Sequence, residues 1–175
     1  MSTLVFVKEV INNERRCALL PANAKAYVKA GAQVVIESGI GSAVNIPDSD
    51  YQDAGAEVVV DRSELLARAD FIMSVQPLGR VELEGTKQSV CCISFLDPFN
   101  NTEHIKWLKD SGRSALSIEM IPRSSRCQKM DALSSQASLA GYVMVAKAMA
   151  ELPRVLPMMM TPAGTLKPAK VFVIG

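Results

Sequence analysis

The densest run of chemically capable side chains lies between Ile121 and Ala137, where Arg123, Arg126, Gln128, Asp131, Ser134 and Ser135 crowd a loop and the start of a helical pattern. Guanidinium, amide, carboxylate and hydroxyl groups offer fixed donors and acceptors for a planar carboxamide and for phosphates. An equally economical account has Asp131 and Ser134 capping a helix while Arg123 and Arg126 are solvated. The residues alone leave both readings open.

A second polar cluster, Lys8, Glu9, Glu14, Arg15 and Arg16, follows the first apolar run. An arginine here is suited to clamp a carboxylate or to bridge to a partner domain. The simpler expectation is an exposed charged loop held by surface ion pairs, each worth little. His104 is the single histidine, but it falls just past a helix cap on an expected exposed turn and reads as solvated. Met158, Met159 and Met160 read as gap-filling hydrophobes in a linker. The four cysteines, Cys17, Cys91, Cys92 and Cys127, have no C-x-x-C pair, so with one histidine no zinc site is expected. They read as buried, reduced small hydrophobes, which points to a reducing compartment such as the cytosol.

These groups must be positioned by an α/β fold. Short β-branched runs alternate with segments of helical period, the pattern of βαβ units in an open, mainly parallel flavodoxin- or Rossmann-like sheet with helices on both faces. Strands are expected at Thr3–Val7, Gln33–Ile36, Glu57–Val60, Phe71–Val75, Val90–Phe95 and Ala115–Ile118. Helices are expected after Pro21, Asp48, Asp61 and Asn101. Ligands of such sheets bind beyond the carboxyl ends of the strands, so the loop before Asp131 stands where a site is expected. Asp131 to Leu152 reads as one long helix rich in Ala, Ser and Gly, which predicts close packing against another element or a crossing between domains. Lys170 to Gly175 reads as a buried parallel strand opening onto glycine, the first strand of a truncated dinucleotide-binding domain. The expected organisation is residues 1–130 as the α/β domain, 131–152 as an interdomain helix, and 153–175 as linker and first strand.

Composition sets bounds on function. Hydrophobic residues make up 49% of the 175, and Lys plus Arg outnumber Asp plus Glu by only 19 to 18, so nucleic acid and anionic surfaces are poor partners. Neither a secretory signal nor an apolar run of about 20 residues is visible, so direct membrane insertion is not expected.

The run Pro122 to Tyr142, P-R-S-S-R-C-Q-K-M-D-A-L-S-S-Q-A-S-L-A-G-Y, resembles the NAD(H)-binding component of proton-translocating nicotinamide nucleotide transhydrogenases. Lys8-Glu9, Asn13 to Arg16, Glu37 to Gly39 and Met160 to Val171 are similar to other motifs of that family. Cys127 stands where the family usually has Ala. Alanine dehydrogenase shares the architecture, but its catalytic Lys and His positions are matched here by Gln76 and Asp97. Without an ammonium and an imidazole there is no evident acid or base for oxidative deamination.

The resemblance implies hydride transfer between NAD(H) on this component and NADP(H) on a partner domain, coupled to proton movement through a membrane subunit. It assigns Arg123, Gln128, Asp131 and Ser134 to the nicotinamide end of NAD(H), with Gly175 opening the glycine-rich turn. No catalytic acid or base and no metal is implied, because transfer between two nicotinamides requires only their alignment. It further implies a subunit that is cytoplasmic and peripheral to the inner membrane through partner subunits, or on the matrix side in a mitochondrion; a homodimer is expected because the helix Asp131 to Leu152 and the apolar run Val171 to Ile174 both need partners. The alternatives are an alanine dehydrogenase-like amino-acid oxidoreductase and a non-catalytic dimerisation module. The chain alone is expected to bind NAD(H) weakly and to be inactive.

Overall fold

The structure, a computed structural model, describes residues 2–174, which fall into two compact units meeting at Met130 and Asp131. The first unit carries six parallel strands: β1 (Thr3–Phe6), β2 (Gln33–Glu37), β3 (Glu57–Val59), β4 (Phe71–Met73), β5 (Cys91–Ser94) and β6 (Ser114–Ser117). Their spatial order is β3-β2-β1-β4-β5-β6, the doubly wound arrangement. The chain winds outward from β1 to β3, returns to lay β4 against β1, and winds outward again. The topological switch therefore falls between β1 and β4.

Both faces of the central strands are apolar, as a parallel sheet covered by helices requires. Val5, Val35, Val59, Ile72 and Cys92 point into a core with Leu65, Leu66, Leu83 and Leu108, contributed by α3 (Arg62–Arg68), α4 (Arg80–Glu84) and α5 (Thr102–Asp110). The alternating set Phe6, Val34 and Ile36 faces Ala24 and Tyr51 of α1 (Pro21–Lys29) and α2 (Asp48–Asp53). Period-two alternation thus feeds two separate cores from one sheet.

Helix boundaries follow local chemistry. Pro21 opens α1, where a missing N–H costs nothing. The Asp61 carboxylate caps α3 by accepting from the N–H groups of Ser63 and Glu64 at 2.8 and 3.0 Å. Asp48 does not cap α2 with its side chain as the sequence suggests; its carboxylate reaches back to Ser38 Oγ at 2.7 Å and the Gly39 N–H at 2.8 Å, tying the turn after β2. The short helix α4 has no counterpart in the sequence reading.

The second unit contains α6 (Ala132–Glu151) and an antiparallel pair, β7 (Met159–Thr161) with β8 (Gly164–Leu166). The second unit differs from the sequence expectations at three points. The small-residue helix buries none of its residues, and Leu139, Tyr142 and Met144 are 60, 76 and 69% exposed. Its small side chains permit close approach but cannot supply the approaching surface. The methionines at 158–160 are exposed rather than gap-filling, because Met159 and Met160 belong to the hairpin, closed by Gly164 at a positive φ of 129°. Val171 to Ile174 has the composition of a buried strand, yet it forms no strand and all four residues are exposed. A parallel strand exists only by pairing, and no described strand pairs with it. Gly175 lies outside the described residues. No described helix is long and apolar enough to cross a membrane.

Candidate functional site

The loops after β1, β4, β5 and β6 converge on the carboxyl edge of the sheet, where ligands of open α/β folds bind. The polar cluster after β1 is far more ordered there than the exposed ion pairs expected from sequence. Glu9 is half-buried, and its carboxylate accepts from two consecutive N–H groups at the end of β4, Val75 at 2.6 Å and Gln76 at 3.2 Å. Burial pushes the Glu9 carboxyl up from its ordinary value, against the lowering effect of those two donors.

Glu14 and Arg16 form a fork, with Arg16 Nε 2.8 Å from Oε1 and Nη2 2.6 Å from Oε2. The Gln76 amide adds a third donor to Oε2 at 2.9 Å. The Arg16 guanidinium lies 5.7 Å over the Phe95 ring. Bound first by Arg16 and then by Gln76, the Glu14 carboxyl is held down at about 2 despite partial desolvation. Arg62 is a second junction: it meets Glu37 at 2.5 Å, Glu82 at 2.8 Å and the Lys8 carbonyl at 3.0 Å. It therefore ties α3 to α4 and to the ends of β1 and β2.

The loop after β5 is strained. Asp97 takes a φ of +47° directly before Pro98, a conformation that a non-glycine residue rarely adopts. It is held by its N–H to Glu119 at 2.5 Å, its carbonyl to the Asn101 N–H at 2.8 Å, and its carboxylate to the Asn100 amide at 2.9 Å. Burial raises the Glu119 carboxyl, but the Ser117 hydroxyl and backbone donors hold it below its ordinary value overall. An Asp97 carboxylate so engaged shapes the turn. His104 sits within α5 rather than on a solvated turn; it is half-buried with its ring 6.0 Å from Trp107, and desolvation with the nearby Arg80 charge lowers its pKa. Of the cysteines only Cys92 is buried, its thiol pushed up to about 11, while Cys17, Cys91 and Cys127 are partly exposed. All four are free thiols.

The residues singled out from sequence divide between the two units. In the first, Arg123 and Gln128 are exposed, with Gln128 opening a short 3-10 turn through Met130. In the second, Asp131 caps α6 and Ser134 is exposed on its first turn. The Asp131 carboxylate accepts from the Ser134 N–H at 2.9 Å and from its hydroxyl at 2.6 Å. The structure thus brings Asp131 and Ser134 into contact. Among the described residues no group of three or more His, Cys, Asp or Glu side chains could hold a metal ion.

Glu9 and Gln76 are the structured residues that sequence reasoning undervalued. Their partners are separated by 66 and 62 positions along the chain, so no local spacing could have announced them.

A doubly wound sheet with these ordered carboxyl-edge loops defines an open, Rossmann-like α/β domain. Residues 5–140 match the family described as alanine dehydrogenase/PNT, N-terminal domain, and the chain belongs to that family. An NAD(P) transhydrogenase subunit alpha from Cereibacter sphaeroides is 38% identical over 168 residues, 96% of this chain and 32% of that protein. A crystal structure of transhydrogenase from Sinorhizobium meliloti superposes with a TM-score of 0.90 at 38% identity, over 96% of this chain and 50% of that one. An alanine dehydrogenase from Methanococcus maripaludis is a more distant relative, 30% identical over 138 residues, 79% of this chain and 36% of that protein. The chain thus spans about a third to a half of the length of these relatives.

Proposed function

We propose that this chain is the front part of the NAD(H)-binding subunit of an NAD(P) transhydrogenase, in which hydride passes between NAD(H) and NADP(H) and the transfer is coupled to proton translocation. The observation that carries this reading is the match across 96% of the chain, at 38% identity, to transhydrogenase relatives in both sequence and structure. The carboxyl-edge loops support it: Gln76 and Asp97 stand where the alanine dehydrogenase resemblance calls for Lys and His, and their side chains are hydrogen-bonded to Glu14 and Asn100.

The nicotinamide supplies the hydride chemistry when bound. The protein's share is orientation, and the donor set in the Arg123–Ser134 stretch fits a carboxamide, which needs one acceptor and one donor. Gln128 presents both, Arg123 adds a cationic donor, and Asp131 with Ser134 forms a fixed acceptor and hydroxyl at the N-terminus of α6. Gly175 belongs to the glycine-rich turn in this reading, and residues 131–152 and 153–175 are the interdomain helix and the entry to the nucleotide-binding domain. The NADP(H)-binding domain and a membrane subunit are the partners, and they hold the subunit on the cytoplasmic or matrix side of the membrane. The exposed apolar surface of α6 and of the β7–β8 hairpin is suited to a homodimer.

The test uses the full-length subunit with its partners. It should reduce NADP+ with NADH and leave alanine untouched in the presence of NAD+ at alkaline pH. NAD+ reduction by alanine would establish the dehydrogenase reading instead. The isolated chain should bind NADH weakly or not at all by calorimetry.

A further inference from the structure

We infer that the crevice at the switch point between β1 and β4 is a carboxylate-binding site that this chain fills with its own Glu9. Open α/β sheets place ligands where the winding reverses, because the loops diverge there and leave backbone N–H groups unpaired. The unpaired groups here are the N–H donors of Val75 and Gln76, at the carboxyl end of β4. Glu9 gives one carboxylate oxygen to each, at 2.6 and 3.2 Å, in the bidentate manner of a bound ligand.

The seat is narrow and partly open to solvent. A void of about 20 Å³ remains beside Glu9, bordered by Lys8, Arg62, Ser74 and Leu78, which is room for one water and not for a nucleotide phosphate. Arg62 pins the loop from the other side through the Lys8 carbonyl at 3.0 Å. Two partly buried N–H donors left without an acceptor are costly, so an emptied seat would draw in a small oxyanion. This inference goes beyond the transhydrogenase reading and does not depend on it.

The experiment uses the full 175-residue chain, labelled with nitrogen-15, as wild type, Glu9→Ala and Glu9→Gly. Formate, acetate and inorganic phosphate are titrated at ionic strength held constant with chloride. In the variants, formate and acetate should shift the Val75 and Gln76 amide resonances saturably, at least about tenfold more tightly than in wild type, and should raise the thermal midpoint in parallel. A folded variant whose two amides ignore both carboxylates overturns the inference, and phosphate binding more tightly than formate overturns the carboxylate assignment. Should both variants fail to fold, wild type within the full-length subunit decides: NADH moving the Val75 and Gln76 resonances as it binds shows an open crevice and defeats the proposal, while resonances that stay silent as NADH binds uphold it. Failure of the transhydrogenase assay alone leaves these outcomes unaffected.

Discussion

Asp131 and Ser134 form a closed pair at the start of α6: the carboxylate accepts from the backbone N–H and the hydroxyl of the same residue, at 2.9 and 2.6 Å. One interaction thus caps the helix and fixes two polar groups that we propose face the nicotinamide. The two duties are separable. Asn is as good a cap as Asp, so Asp131→Asn should leave thermal stability within error, whereas Asp131→Ala should cost about 1 kcal/mol. If the pair also orients the nicotinamide, Asp131→Asn in the full-length enzyme should lower the hydride-transfer rate without unfolding the chain. Unchanged rates in Asp131→Asn would reduce Asp131 to a cap.

Gln128→Ala tests the carboxamide contact separately. Its side chain is exposed, so calorimetric stability should change by less than about 0.5 kcal/mol. In the full-length subunit the same change should weaken NADH binding, read by fluorescence titration, by roughly the worth of one lost hydrogen bond, about 1 kcal/mol or fivefold.

Arg62→Ala removes the junction between α3, α4 and the ends of β1 and β2. Its side chain is 22% exposed and the partner Glu37 is 13% exposed, so two carboxylates lose their counter-charge in a partly desolvated place. A loss of about 2 kcal/mol in urea unfolding is expected, more than any single surface pair contributes. Arg68→Ala, which breaks the more exposed pair with Glu57, should cost about 0.5 kcal/mol.

Gly41→Ala should destabilise the turn after β2. A Cβ there would stand 2.6 Å from the Ile46 carbonyl oxygen and 3.0 Å from the Tyr51 hydroxyl, which is itself fixed on the Leu19 carbonyl at 2.9 Å. Backbone cannot give way as a flexible side-chain tip can, so a cost of about 1–3 kcal/mol is expected by thermal denaturation.

Glu14 and Glu9 should respond to acid with opposite signs. Glu14 is depressed to about 2, so the stability it contributes is complete above its unfolded value of 4.5 and is lost as pH falls through about 2. Glu9 is raised, so its contribution is fully present below 4.5 and is lost as pH rises through its folded value. Carbon-13 titration of the side-chain carboxyls should show the two inflections displaced to either side of 4.5. Arg16→Gln should move Glu14 back upward, since Arg16 is its foremost partner.

Much of the fold was legible because its causes are local. Alternating apolar runs placed all six parallel strands within two residues of where they form, and Pro21 and Asp61 marked helix starts through backbone chemistry that operates within three residues. Short helix α4 escaped notice because five residues carry too little periodicity, and the β7–β8 hairpin because its strands are three residues each.

The sequence by itself determined the parallel sheet and the polar stretch from Arg123 to Ser134, since each rests on residue type and short-range spacing, whereas the winding order β3-β2-β1-β4-β5-β6 was decided by the structure. Only tertiary structure decided that Glu9 closes on Val75 and Gln76, that Gln76 completes the Glu14–Arg16 fork, and that α6 and residues 171–174 stand exposed. The physical reason is range: those contacts join segments more than 60 residues apart, and burial of an apolar surface depends on what lies opposite it, which no pattern along one strand or helix encodes.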